Sequence, residues 1–173
     1  FVHLRTQLGN DSARLKVAGA MTKGDVALVE SLKSKLAEAG LSDLVEWLPN
    51  ISRDEKLAFL SSLSLFSVPV QYEEAFGLYG IEAMAASVPI VQPNASAFPE
   101  IIETTGGGEC VDIEGPEPLA EAWQNLLQDR ERLKTMGEQG RLGVERSYSM
   151  QAMKNAFLEV VESMRLSGPE CDE

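Results

Sequence analysis

The sequence predicts an α/β domain built around a parallel sheet. Short β-branched or apolar runs alternate with longer segments of helical period, as in βα units. The length of 173 residues, with 44% hydrophobic and 24% charged residues, suits one globular domain with a full core. The alternation therefore predicts five buried strands, at residues 15–19, 44–48, 63–70, 88–92 and 109–113.

Helix signals separate these runs. Apolar residues recur at spacings of three and four from Val26 to Ala39, and Gly40 follows where a helix would end. Ser52 precedes Glu55 by three residues, which is typical of a capping box at the start of a second crossover helix. Three helical segments follow the last predicted strand, the final one over about residues 150–166.

The two ends of the sequence lead to an expectation about domain boundaries. Residues 1–8 have helical character without a preceding strand or cap, so we expect a domain truncated at its N-terminal strand. That domain covers residues 1–166, and residues 167–173 form an acidic, turn-rich tail.

Composition excludes several classes of function. The chain has 15 basic and 27 acidic residues and a net charge of −12, which argues against nucleic acid or anionic lipid as a partner. His3 is the one histidine, so histidine-based nucleophilic catalysis and multi-histidine metal sites are not expected. Two cysteines and no long apolar run predict a cytoplasmic protein.

Residues 66–103 carry the chemistry. A strand, a loop and a helix beginning near Gly77 would place free backbone amides at the carboxyl edge of the sheet, where a phosphate can bind. Glu74 lies in the loop and Glu82 inside the helix, and ionised carboxylates accept bonds from sugar hydroxyls. Most glutamates in proteins are solvent-exposed, so each of these two, taken alone, is expected to be a surface residue without a binding role. Small and apolar neighbours around Glu82 weaken that alternative.

The segment EAFGLYGIEAMAASVPIV, which starts at Glu74, closely resembles the signature of retaining GT-B glycosyltransferases of the family-4 type, the glycosyl transferases group 1. LKVAGA, VEWLPNIS and FPEIIE resemble further parts of the same pattern, so the resemblance covers roughly residues 12–165. It implies a Rossmann-like three-layer α/β/α fold, the C-terminal half of a GT-B enzyme.

The resemblance also implies roles for residues. Glu74 would be the catalytic residue that contacts the donor sugar, and Glu82 would hold the ribose hydroxyls. The donor-binding backbone and loop residues would be Ala75, Phe76, Gly77 and Leu78 at the diphosphate and Pro49 and Asn50 at the base.

The implied reaction transfers a hexose from a nucleotide-diphosphate sugar to an acceptor hydroxyl with retention, without a metal or other cofactor. The acceptor would bind an N-terminal domain of the same protein, through which any peripheral membrane association would also occur. The Arg and Lys that clamp the diphosphate would lie in the strand, loop and helix just upstream of Phe1. The present chain alone is then expected to be inactive.

Three departures from the family pattern leave alternatives open. Ala75, Ser87 and Pro49 stand at positions where the family usually has glycine. These losses support a second hypothesis, a non-catalytic binding or assembly module whose donor site has drifted, whereas the retained Glu74 and Glu82 argue against it. A sugar-nucleotide epimerase would need further acid and base groups that the sequence does not offer.

Overall fold

The computed structural model describes residues 1–70, 72 and 74–166, so the predicted tail at residues 167–173 lies outside the described residues. Helices and strands alternate along the first two thirds of the chain except for two successive helices between the second and third strands, and three helices follow the last strand. The order is α1 (Val2–Thr6), β1 (Leu15–Gly19), α2 (Val26–Glu38), a 3₁₀ turn (Ser42–Leu44), β2 (Val45–Pro49), α3 (Arg53–Ser61), α4 (Leu78–Ala85), β3 (Ile90–Pro93), α5 (Phe98–Thr105), β4 (Gly108–Val111), α6 (Pro116–Gln128), α7 (Arg130–Ser147) and α8 (Met150–Leu166).

The strands of the described residues pair in parallel, as the alternation predicted. β1 pairs with β2 from Leu15 opposite Val45 onward, and β3 pairs with β4 from Ile90 opposite Gly108 onward. The two pairs form separate two-stranded sheets. Parallel pairing brings the carboxyl ends of each pair to one edge, the edge at which α/β proteins bind ligands.

The predicted strand at residues 63–70 is wrong. Only Phe66 pairs there, in parallel with Ile90 of β3. Beyond that bridge, the Val68 N–H donates to the side-chain Oε1 of Gln92 at 3.1 Å rather than to a backbone carbonyl. Pro69 has no N–H to donate. A buried side chain therefore replaces the backbone ladder that would have extended the strand.

Burial is uneven across the predicted strands. Every residue of β3 is buried, whereas β1 and β2 contain only half-buried and exposed residues. β4 is half-buried throughout, so the prediction of five buried strands holds for β3 and is wrong for β1, β2 and β4. One core cluster joins β3 to α4 and α5 and contains Met84, Ile90 and Ile101, each at most 2% exposed.

Local helix signals are confirmed. The Ser52 side chain accepts from the Glu55 N–H, and the Glu55 carboxylate accepts from the Ser52 N–H, which completes the capping box of α3. Gly40, with φ of 70°, follows the end of α2. The final helix spans Met150–Leu166, as its apolar pattern predicted.

Glycines in α7 allow it to pack closely against α4 and the turn before β4. A Cβ on Gly140 would lie 2.9 Å from the Gly107 Cα and 3.2 Å from Met84 Cγ. A Cβ on Gly137 would lie 2.3 Å from the Ser87 carbonyl oxygen. This backbone contact fixes the C-terminal end of α4, the helix on which Glu82 lies.

Candidate functional site

The start of α4 is the centre of the candidate site. Gly77 is its N-cap residue, with φ of 76°, and a Cβ there would lie 2.5 Å from Phe98 Cε1. Both the left-handed backbone and the contact with Phe98 require glycine. Within the described part of the chain, no side chain caps this terminus. The Gly80 N–H donates to the Gly77 carbonyl, no side-chain acceptor among the described residues serves the amides before it, and the positive end of the helix dipole favours an anion.

A first cleft, of about 960 Å³, opens beside this terminus at the carboxyl ends of β3 and β4. Its polar lining includes Tyr72, Glu74, Asn94, Ser96, Asp112 and Glu114. The Asn94 amide Nδ2 donates to Asp112 Oδ1 at 3.0 Å, which joins the loops that follow the two strands. Carboxylate, amide and hydroxyl groups around one cleft suit a ligand with many hydroxyls.

Glu74 is half-buried and is held from several sides. Its backbone N–H donates to the Ser96 Oγ at 3.0 Å, and Ser96 itself has a left-handed backbone with φ of 56°. The Tyr79 hydroxyl donates to Glu74 Oε2 at 3.3 Å, and the Tyr72 hydroxyl approaches the same oxygen at 3.5 Å. The hydroxyl contacts therefore lie on one carboxylate oxygen, Oε2.

Tyr79 titrates outside its ordinary range. Burial, followed by the nearby charge of Glu74, raises the pKa of Tyr79 to about 12. The hydroxyl therefore carries its proton at neutral pH and can donate it to the carboxylate.

A second cleft, of about 490 Å³, lies at the carboxyl ends of β1 and β2. Glu82, Lys56 and Asn50 line it together with the aromatic rings of Phe66 and Tyr79. Lys56 Nζ lies 2.6 Å from Glu82 Oε1, and the two side chains are 41% and 44% exposed. The cleft therefore combines an apolar wall with one ion pair, whose carboxylate also has a second oxygen, Oε2.

Asn50 links the loop after β2 to the loop after β1 at the edge of this cleft. It has φ of 54°, and its side-chain amide bonds the Met21 backbone twice, with Oδ1 accepting at 2.8 Å and Nδ2 donating at 3.1 Å. Asparagine tolerates this left-handed conformation better than most residues. Pro49 ends β2 opposite Gly19 and does not line the cleft.

The structure thus brings the predicted site residues together in two groups. Glu74 and Ala75 line the first cleft, whereas Glu82 and Asn50 line the second. Phe76 and Leu78 line neither, although Phe76 packs edge-on against Tyr148 with ring centroids 6.0 Å apart. Gly77 lies buried between the two groups.

Three residues of the site were missed from the sequence: Lys56, Tyr79 and Ser96. Lys56 and Ser96 lie 26 and 22 residues from the glutamates that they contact, so no local spacing connects them. Tyr79 lies within the recognised segment, but the pattern assigns it no role. Its aromatic type in the first turn of α4, five residues after Glu74, was the available signal.

Ser87 and Ala75, which stand where the family usually has glycine, differ in backbone conformation and position. Ser87 stands at a family glycine position and adopts the left-handed conformation that glycine would, with φ of 61°. Ala75 is exposed and lines the first cleft. The conformation at Ser87 is therefore retained without the residue that adopts it most easily.

Among the described residues, no three His, Cys, Asp or Glu side chains converge as a metal site requires, and metal independence stays a prediction. Over residues 1–70, 72 and 74–166, no helix has the length and hydropathy to cross a bilayer.

Comparison with known proteins agrees with the fold and shows the family. Residues 1–143 match the family described as "Glycosyl transferases group 1". The MMP alpha-(1->4)-mannosyltransferase of Mycolicibacterium hassiacum is 32% identical over 130 residues, which cover 73% of this chain and 31% of that protein. The chain spans about a third to two fifths of the length of the curated relatives it matches.

Two solved structures share the fold. The C-terminal domain of a glycosyl transferase group 1 family protein, LpcC, from Francisella tularensis superposes with a TM-score of 0.75 at 23% identity, covering 86% of this chain and 76% of that one. Anabaena HepE in complex with UDP superposes with a TM-score of 0.81 at 18% identity, covering 94% of this chain and 44% of that one. The parallel α/β architecture is therefore the Rossmann-like C-terminal half of a GT-B fold, and the chain belongs to the glycosyl transferases group 1 family.

Proposed function

We propose that the chain is the donor-binding domain of a retaining glycosyltransferase, which transfers a hexose from a nucleotide-diphosphate sugar to an acceptor hydroxyl. One observation carries this proposal: Glu74 and Glu82 line two different clefts, and the uncapped start of α4 lies on the segment that connects them. A nucleotide sugar has hydroxyls at both ends and a diphosphate between them.

The second cleft would hold the nucleoside. Its aromatic and aliphatic wall suits a base, and the Glu82 carboxylate can accept bonds from the vicinal ribose hydroxyls through Oε2 while Lys56 occupies Oε1. The positive charge of Lys56 offsets the negative charge of Glu82, which would otherwise repel the diphosphate. Asn50 would fix the loop beneath the base through its two bonds to Met21.

The diphosphate would lie over the N-terminus of α4. Backbone amides around Phe76, Gly77 and Leu78 would donate to phosphate oxygens, and the helix dipole would stabilise the phosphate charge. The hexose would then extend into the first cleft, where Glu74 Oε1 is available to its hydroxyls while Oε2 faces the tyrosine hydroxyls.

Transfer would follow a front-face route. The bond from the anomeric carbon to the diphosphate oxygen breaks, and the acceptor oxygen bonds that carbon on the same face. The acceptor proton passes to the leaving diphosphate, so no imidazole is needed and no metal or other cofactor takes part. The amides at the start of α4 would stabilise the charge that develops on the leaving group.

The acceptor and the remaining diphosphate contacts would come from parts of the protein outside this domain. The length of the relatives supports a domain over residues 1–166 that acts together with an acceptor-binding domain of the same protein. A cytoplasmic location, where nucleotide sugars are available, fits the unpaired thiol of Cys110.

Calorimetric titration tests the proposal. UDP, GDP and ADP and their hexose derivatives are titrated into the chain, with Glu82→Ala and the matched α2 variant Glu30→Ala alongside. We expect one base to be preferred and Glu82→Ala to weaken its binding about tenfold, with Glu30→Ala unchanged. If this chain binds no nucleotide up to millimolar concentration, the titration is repeated on a chain extended upstream. Absence of binding there as well would contradict the proposal and favour the drifted binding module.

A further inference from the structure

Tyr79 connects the two clefts. Its ring lines the second cleft beside Glu82, while its hydroxyl donates to Glu74 Oε2 in the first cleft at 3.3 Å. It is the second residue of α4, directly after the terminus over which the diphosphate would lie. Tyr79 thus contacts the loop carboxylate from the rigid end of a packed helix.

Aromatic neighbours hold the Tyr79 ring on two sides. Its centroid lies 6.1 Å from the Phe66 ring and 6.2 Å from the Phe98 ring, both in tilted geometry. Phe98 is 1% exposed and also packs beneath Gly77, so the ring is anchored in the core. A side chain held in this way loses little conformational freedom when its hydroxyl makes a hydrogen bond.

Glu74 depends on such support because it lies in a loop. Its backbone N–H donates to Ser96 Oγ, and its carboxylate accepts one hydrogen bond from the Tyr79 hydroxyl and one from the Tyr72 hydroxyl. Tyr72 is 66% exposed and lies at 3.5 Å, so it constrains the carboxylate less than Tyr79 does. Both hydroxyls lie on Oε2, which leaves Oε1 unoccupied by them.

We propose that Tyr79 is a positioning residue for Glu74: its hydroxyl fixes the carboxylate so that Oε1 is directed to the hydroxyls of the donor hexose. This proposal rests on the proposed function and adds a residue to it. Tyr79 does not touch the hexose itself but acts through Glu74. The raised pKa of Tyr79 keeps this hydroxyl protonated, and therefore donating, over the whole neutral range.

The test compares two ligands on one protein. The affinity gain from the sugar is the ratio of the Kd of a nucleoside diphosphate to the Kd of its hexose derivative, and it is measured by calorimetry for the base that binds. Tyr79→Phe keeps the ring between Phe66 and Phe98 and removes only the hydroxyl. Tyr148→Phe, which removes the hydroxyl of a ring packed on Phe76, is the matched control. Thermal unfolding checks that each variant is folded.

We expect Tyr79→Phe to reduce the affinity gain from the sugar about fivefold and to leave the Kd of the nucleoside diphosphate within about twofold. In a Glu74→Ala background the same substitution should have no further effect, because the acceptor of its hydrogen bond is gone. A merely structural role would change both ligands alike and would persist in that background.

The outcomes separate this inference from the proposed function. If Glu74→Ala removes the affinity gain but Tyr79→Phe does not, the positioning role is wrong and the proposed function stands. If the effects of Tyr79→Phe and Glu74→Ala simply add, the positioning role is also wrong. If no nucleotide binds, or the hexose brings no gain, both in this chain and in a chain extended upstream, the proposed function itself is contradicted.

Discussion

Lys56 Nζ lies 2.6 Å from Glu82 Oε1, which joins the first turn of α3 to the middle of α4 across the second cleft. The pair is partly exposed, so its contribution to folding is small, below about 1 kcal/mol. Its importance would instead be local, because it places one positive charge beside the carboxylate proposed to bind the ribose.

Replacing Lys56 therefore tests the electrostatics of the second cleft. Lys56→Met should weaken nucleoside diphosphate binding about fivefold, because Glu82 loses its partner and its unbalanced charge repels the phosphates. Calorimetric titration measures this effect. Lys33→Met is the matched control, since Lys33 forms a similarly exposed pair with Glu30 at 2.9 Å on α2. Equal losses in the two variants would rule out a specific role for Lys56.

Gly137 allows α7 to lie against the end of α4. Gly137→Ala would gain about 1 kcal/mol of helix propensity but place a methyl group 2.3 Å from the Ser87 carbonyl oxygen. Because backbone on both sides must move, we expect a net loss of about 2 kcal/mol in the free energy of unfolding, measured by urea denaturation. Gly24→Ala, whose nearest neighbour would be Thr22 Oγ1 at 3.6 Å, should change stability little. An unchanged Gly137→Ala protein would contradict this account of the packing.

Ser87 adopts a left-handed backbone, with φ of 61°, at a position where the family usually has glycine. Ser87→Gly should therefore raise the free energy of unfolding by about 1 kcal/mol, because glycine adopts this conformation without strain. Ser34→Gly, within α2, should have the opposite sign, since glycine weakens a helix interior. Chemical denaturation measures the change in the free energy of unfolding for each variant. A loss of stability in Ser87→Gly would show that the serine is not strained.

Tyr79 also predicts a pH dependence at alkaline pH. Its pKa is raised from 10.0 to about 12, so folding favours the protonated hydroxyl. The stability that this shift represents is fully present below pH 10 and is lost as pH rises toward about 12. Near-ultraviolet titration of tyrosinate should show a late step that Tyr79→Phe removes. If the late step persists in that variant, the shifted group is not Tyr79.

How much of this could be predicted from the sequence depends on the range of the interactions. The capping box of Ser52 and Glu55 and the helix end at Gly40 are local, and the structure confirms both. The failure at residues 63–70 has a nonlocal cause, because the Gln92 side chain accepts the bond that a strand would have given to a backbone. The apolar run shows the strand period but not this competitor.

In the candidate site too, the local features could be predicted from the sequence and the nonlocal contacts could not. Glu74, Gly77 and Glu82 come from one continuous segment, so sequence pattern was enough to select them. Their distribution over two clefts, and the contact of Lys56 with Glu82, depend on how α3 packs beside α4. Sequence spacing holds no information on that packing.

A crystal structure of the chain with the nucleotide sugar that it binds tests the central claim most directly. We predict the base and ribose in the second cleft with a ribose hydroxyl within hydrogen-bond distance of Glu82, the diphosphate over the start of α4, and the hexose beside Glu74. A nucleotide bound elsewhere, or one whose ribose and hexose contact neither glutamate, would contradict the assignment of the two clefts to one donor.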